Sequence, residues 1–226
     1  ITGASFAIGP SRVNPLSGQI LDADILVNEG FIRSWQRKYT TFFDQVQQER
    51  DHWIESSPFK CNMASGLSHQ MNFMATAMSV RELVGFDGEI PEEYLGQALK
   101  ALIMHEVGHT LGLRHNFKAS STVSLDQLND KARSALLGSV MDYDPVNISP
   151  KGEVQGHYYT TTIGPWDYWA IEYAYKPIES TVPEDELPEL SEIAARASSP
   201  KLAYGTDGDV SWYRYRDLDP LVNRWD

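Results

Sequence analysis

From Phe31 to about Ser56, apolar residues recur at Phe31, Trp35, Tyr39, Phe42, Val46 and Trp53, in three- and four-residue steps with one of seven, and with many charges between them. This period lines one face of a helix, so the pattern predicts an amphipathic helix over 31–56. The run "GLSHQMNFMATAMSVREL" predicts a second over 64–84, closed by the turn residues of "GFDGEIP". Ahead of both, "NPLSGQILDADILV" at 14–27 gives a Pro/Ser/Gly turn and then alternation, with Ile20, Ala23, Ile25 and Val27 set among polar residues, which predicts a strand.

The stretch "PEEYLGQALKALIMHEVGHTLG" reads as a further helix. Pro91 suits its first position, Glu92 and Glu93 complement the dipole of its first turn, and Gly112 marks its end. Downstream come a polar stretch, a short helix expected near 126–136, the segment "GSVMDYDP", and a helix over 164–175 between Pro165 and Pro177. A Pro- and acid-rich connector follows at 177–190. The last thirty residues, rich in turns and aromatics, give no readable period, and the chain has no internal repeat.

Composition narrows the field. The 226 residues, 42% hydrophobic and 11% aromatic, suffice for one sizeable core and suggest a single domain. No apolar run approaches the roughly 18 residues of a membrane span. A net charge of -12 removes the phosphate attraction on which nucleic-acid binding depends. Cys61, the one cysteine, forms no internal disulfide. The start at Ile1, without initiator methionine or signal features, leads us to expect a processed product or a piece of a larger protein, its targeting signal lying outside this chain.

The chemistry concentrates in "HEVGHTLGLRH". On a helix, His105 and His109 stand one turn apart on one face and reach a single ion. Glu106, rotated by about 100°, stays out of the ligand set but beside a water at the metal. Gly112 tolerates positive φ, so the chain can leave the helix and bring His115 back. Three neutral imidazoles leave a fourth tetrahedral position open, the arrangement of a catalytic zinc site, with Glu106 as general base. At ordinary residue usage the extended pattern arises by chance in on the order of one chain in 10⁵.

The pattern HExxHxxGxxH followed by "SVMDY" resembles the metzincin zinc endopeptidases, most closely the large bacterial secreted ones. The resemblance implies an α+β metzincin-like catalytic domain. Its upper lobe, to about residue 115, would hold a small mixed sheet and the active-site helix; its lower lobe, 116–226, would be mainly helical and irregular. It also implies that Met141 lies beneath the zinc-histidine plane, and that Tyr143 is a displaceable ligand and oxyanion donor. Asp167 would brace the methionine turn, and "PLSGQILDADI" would line the cleft and pair with extended peptide or protein substrate. A secreted or periplasmic location goes with it. Asn116, after the third histidine, departs from the residues that mark the well-known branches, so no branch-specific substrate rule carries over.

Two other functions fit the same residues: a catalytically silent binding module with structural zinc, and a zinc amidase acting on a non-protein amide. Glu106 argues against the first, because a structural site has no use for a carboxylate at that offset. His52, His69 and His157 have no partner spacing. Cys61 reads as a buried inert thiol. In "GTDGDV", Asp207 and Asp209 offer carboxylates to a calcium ion, although Asp-Gly pairs usually make turns.

Overall fold

The structure, a computed structural model, describes residues 7–27, 63, 66–67, 70, 73–74, 77, 91–180 and 182–209. The helix expected over 31–56, and with it His52, Cys61 and His69, lies outside the described residues. At the amino-terminal end are four short strands: β1 (Ala7–Ile8), β2 (Ser11–Val13), β3 (Ile20–Ala23) and β4 (Leu26–Val27). β1 pairs with β4 and β2 with β3, both antiparallel. The alternating run 20–27 is thus divided into two short strands instead of one, and the pairing among the described residues is antiparallel. The turn joining β2 to β3 places Gly18 at φ 71°, as its Pro/Ser/Gly composition requires.

Met63, Gly66, Leu67, Gln70, Phe73, Met74 and Ala77 are helical, at the spacing expected of the 64–84 run. Met63, Leu67 and Met74 bury their side chains against Ala98, Ala101 and Leu102 of helix α1 (Glu92–Thr110) and against Phe117, Tyr143 and Tyr159. Each fully buried side chain of this size contributes roughly 1.5–3 kcal/mol. α1 begins at Glu92, with Pro91 at the N-cap just ahead of it instead of in the first helical position, and with Glu92 and Glu93 in its first turn as expected. Gly9 seats β1 on this helix, since a Cβ there would fall 2.3 Å from the Glu106 carbonyl oxygen.

Beyond α1 the chain is largely irregular. The helix expected near 126–136 is replaced by a 3-10 turn at Leu125–Gln127 followed by bends. Asp130 Oδ1 accepts the Ala132 amide at 2.9 Å, and the Ser134 carbonyl goes to Thr161, so side chain and distant backbone take the bonds a helix would use. α2 (Pro165–Tyr175) matches the expected 164–175. The connector at 177–190 holds structure that was not foreseen: a 3-10 turn at Pro183–Glu186 runs into α3 (Leu187–Ala195), whose Ile193 is buried. A second cluster, Val140, Met141, Trp166 and Ala170, lies between α2 and the end of α1. No helix among the described residues is long and apolar enough to cross a membrane.

Candidate active site

α1 ends in a tight reversal. The Gly112 amide donates to the His109 carbonyl at 2.9 Å, the Leu113 amide to the Gly108 carbonyl at 3.0 Å, and Gly112 sits at φ 84°. This is the paired bonding of a helix stop on a left-handed glycine. It turns the chain back on itself and returns His115 to the face that carries His105 and His109.

The ligand atoms of His105, His109 and His115 all lie within 4.8 Å of one another, and among the described residues they form the one group of three or more such side chains. The ring centroids are 4.8 Å apart for His105–His109, 5.3 Å for His105–His115 and 4.8 Å for His109–His115. Their tautomers follow from their partners. His105 Nδ1 meets the Val140 carbonyl at 2.7 Å and His109 Nδ1 the Leu113 carbonyl at 3.0 Å. A carbonyl only accepts, so both Nδ1 atoms carry protons and both Nε2 atoms present lone pairs. His115 Nδ1 lies 2.7 Å from Asp207 Oδ2 and, facing a carboxylate, is assigned the same tautomer.

That assignment tests the fit to a metal. The Nε2 atoms of His109 and His115 approach to 3.2 Å with no proton left to share between them. Two facing lone pairs repel unless a cation stands between them. The separation is close to the roughly 3.4 Å edge of a tetrahedral site with Zn–N of about 2.0–2.1 Å. Burial and the neighbouring imidazoles hold the pKa of His105 well below the ordinary imidazole value. Burial also lowers that of His109. Both rings therefore stay neutral and able to ligate, and the donor set suits zinc.

Glu106 is fully buried beside His105 on the next helical position. The Tyr143 ring, 1% exposed, packs with its centroid 5.8 Å from His105 and 5.1 Å from His115. Met141 is completely buried under the helix, where a Cβ on Gly108 would fall 2.2 Å from its Sδ. Asp167 braces this turn as expected: its carboxylate accepts from Ser139 Oγ at 2.6 Å, the Val140 amide at 2.9 Å and the Gly164 amide at 2.7 Å. Burial pushes its carboxyl pKa up against the downward pull of these donors. Val140 thus binds Asp167 through its amide and His105 through its carbonyl.

His157 takes no part in the cluster. Its Nδ1 lies 3.0 Å from Gln97 Nε2, which ties the 157–159 segment to α1. Asp207 and Asp209 form no cluster suited to calcium among the described residues: Asp207 faces His115, and Asp209 Oδ2 accepts the Thr206 amide at 2.8 Å. The Asp207 contact had no signature in the sequence, because its partner lies 92 residues away. An apolar groove of about 360 Å³ starts just past Tyr143, with Asp144, Val146, Ile148, Val123, Leu128 and Leu136 in its wall. Burial, reinforced by repulsion from Asp142, pushes the Asp144 carboxyl up to about 8.

A protein-family model described as Met-zincin matches residues 87–226, more than half of the chain and the whole of the histidine cluster and methionine turn. No curated protein matches, and no solved structure matches.

Proposed function

The chain belongs to the Met-zincin family, and from that premise we propose that it is a zinc-dependent endopeptidase in which Glu106 is the general base and Tyr143 an oxyanion donor. The observation that carries the reading is the convergence of His105, His109 and His115 on one point, with a buried carboxylate on the residue after the first of them.

The three Nε2 atoms would hold zinc, which when bound supplies Lewis acidity that polarises a carbonyl oxygen and lowers the pKa of a water to roughly 7. Glu106 takes the proton from the water that attacks the carbonyl carbon and delivers it to the amide nitrogen as the C–N bond breaks. No covalent enzyme intermediate forms. The phenol of Tyr143 donates to the oxygen that gains charge during attack. β3 and β4 offer backbone groups to an extended peptide, adding it as an antiparallel strand. The groove past Tyr143 suits an apolar side chain of that peptide. The same proposal places the enzyme outside the cytoplasm, which cell fractionation tests.

Metal analysis and digestion of a broad peptide library, with and without chelator, test the reading. One zinc per chain and internal peptide cleavage abolished by chelator are expected. Glu106→Gln should keep the zinc while turnover falls by at least about 10²- to 10⁴-fold. Zinc binding that survives His105→Ala undiminished, or hydrolysis of non-peptide amides alone, would overturn it.

A further inference from the structure

The three imidazoles differ in what holds their outer nitrogen. His105 and His109 use main-chain carbonyls, Val140 at 2.7 Å and Leu113 at 3.0 Å. His115 stands past the helix end and meets a carboxylate, Asp207 Oδ2, at 2.7 Å, in a pair whose side chains are 5% and 25% exposed. A carboxylate behind a ligand imidazole fixes its tautomer and ring plane and makes the ring a stronger donor.

The position of that carboxylate is secured independently of the contact. Asn116, fully buried and next to His115 in sequence, donates from Nδ2 to the Ala203 carbonyl at 3.0 Å and accepts the Gly205 amide on Oδ1 at 3.2 Å. The Phe117 amide donates to the Gly205 carbonyl at 2.7 Å, while the Asn116 amide donates to the Met141 carbonyl at 3.0 Å. A turn closed by the Asp209 amide and the Thr206 carbonyl at 2.8 Å then presents Asp207. Asn116, next to the third imidazole, thereby ties the methionine turn through its main-chain amide and the 203–205 segment through its side chain.

We infer that Asp207 is a positioning residue for His115, accepting the hydrogen bond from its Nδ1–H so that Nε2 faces the metal, and that Asn116 clamps the 203–205 segment to hold Asp207 there. The inference rests on the zinc-peptidase reading. Its consequence is that the segment beyond α3 belongs to the metal site although it supplies no ligand.

The test is the zinc dissociation constant, from competition with a chromogenic chelator, for the wild-type chain, Asp207→Asn and Asp207→Glu, with melting of each metal-free protein as the measure of folding. Asp207→Asn should melt close to wild type and bind zinc about 10- to 100-fold more weakly, with part of the loss recovered in Asp207→Glu. Nitrogen-15 NMR of the zinc-loaded wild type should show His115 protonated at Nδ1 and metallated at Nε2, a readout that decides the matter even if a variant fails to fold. Unchanged zinc affinity in folded Asp207→Asn, or metallation of His115 at Nδ1, overturns the inference. A wild-type chain that binds no zinc sinks the broader reading instead.

Discussion

Gly108 and Met141 meet without room for one more carbon: a Cβ on the glycine would fall 2.2 Å from the methionine sulfur. Met141 cannot swing aside freely, because it is wholly buried in the cluster formed with Val140, Trp166 and Ala170. Gly108→Ala should therefore cost about 1–3 kcal/mol of stability by overpacking and weaken zinc binding through His109 next to it. Gly96, exposed on the same helix with nothing within 4 Å of a built Cβ, is the matched control. Gly96→Ala should stabilise the protein by roughly 0.5–1 kcal/mol. Urea denaturation of the metal-free proteins measures both, and a loss in Gly108→Ala no larger than zero would refute the contact.

Tyr143→Phe separates chemistry from packing. The ring fills its place among His105, His115 and Phe117, and phenylalanine keeps that filling. Zinc content and melting should stay near wild type while kcat falls about 10- to 10³-fold, the loss expected for one oxyanion donor. Unaltered kcat in the zinc-loaded variant would leave the tyrosine a purely structural residue.

Asp167→Ala removes one acceptor from three donors, Ser139 Oγ and the amides of Val140 and Gly164. Leaving buried donors unpaired costs about 1–3 kcal/mol each, so a loss of about 3 kcal/mol or more is expected in urea titration. Asp167→Asn keeps an acceptor oxygen for the amides and should lose clearly less. Equal losses would mean that the carboxylate charge, and not its geometry, holds the turn.

Tyr94 and Tyr159 share a buried hydroxyl pair at 2.9 Å. Burial raises the pKa of both phenols above the ordinary value of 10.0. The folded chain then holds protons that the unfolded chain releases near pH 10, so the stability they contribute is complete below pH 10 and falls as pH rises beyond it, by up to about 1.4 kcal/mol per pH unit for each tyrosine. Absorbance at 295 nm should show these two phenols ionising only with unfolding. Tyr94→Phe should make the alkaline decline in stability shallower, and an unchanged slope would place the sensitivity elsewhere.

The site was legible where its parts are local. Pro91, the two glutamates after it and Gly112 bound the helix in sequence as they do in space, and a four-residue step sets His109 over His105 whatever surrounds them. Met141 and Asp167 were found by resemblance, at distances along the chain that no helical or strand period governs. Helix α3 was missed because Pro183 and Pro188 read as breakers, yet each stands in a first turn, where the missing amide hydrogen costs nothing. The helix expected near 126–136 failed for the opposite reason. Its composition suits a helix, but Asp130 and the distant partners of Ser134 and Leu128 offered the backbone other bonds. Asp207 was invisible as a partner of His115, since no period links residues so far apart.

The clamp made by Asn116 bears on how the site is assembled as the chain emerges from the ribosome. His105, His109 and Gly112 can form their helix and its stop from neighbouring residues, a local event on the microsecond scale. The outer partner of His115 arrives 92 residues later, and its docking must bear the loop-closure entropy of that separation. Nascent chains that have not yet exposed residues 203–207 would carry all three imidazoles, but the third would lack its acceptor. With Asp207 holding His115 as inferred above, full metal affinity is acquired only once residues 203–207 have emerged, well after the three imidazoles themselves.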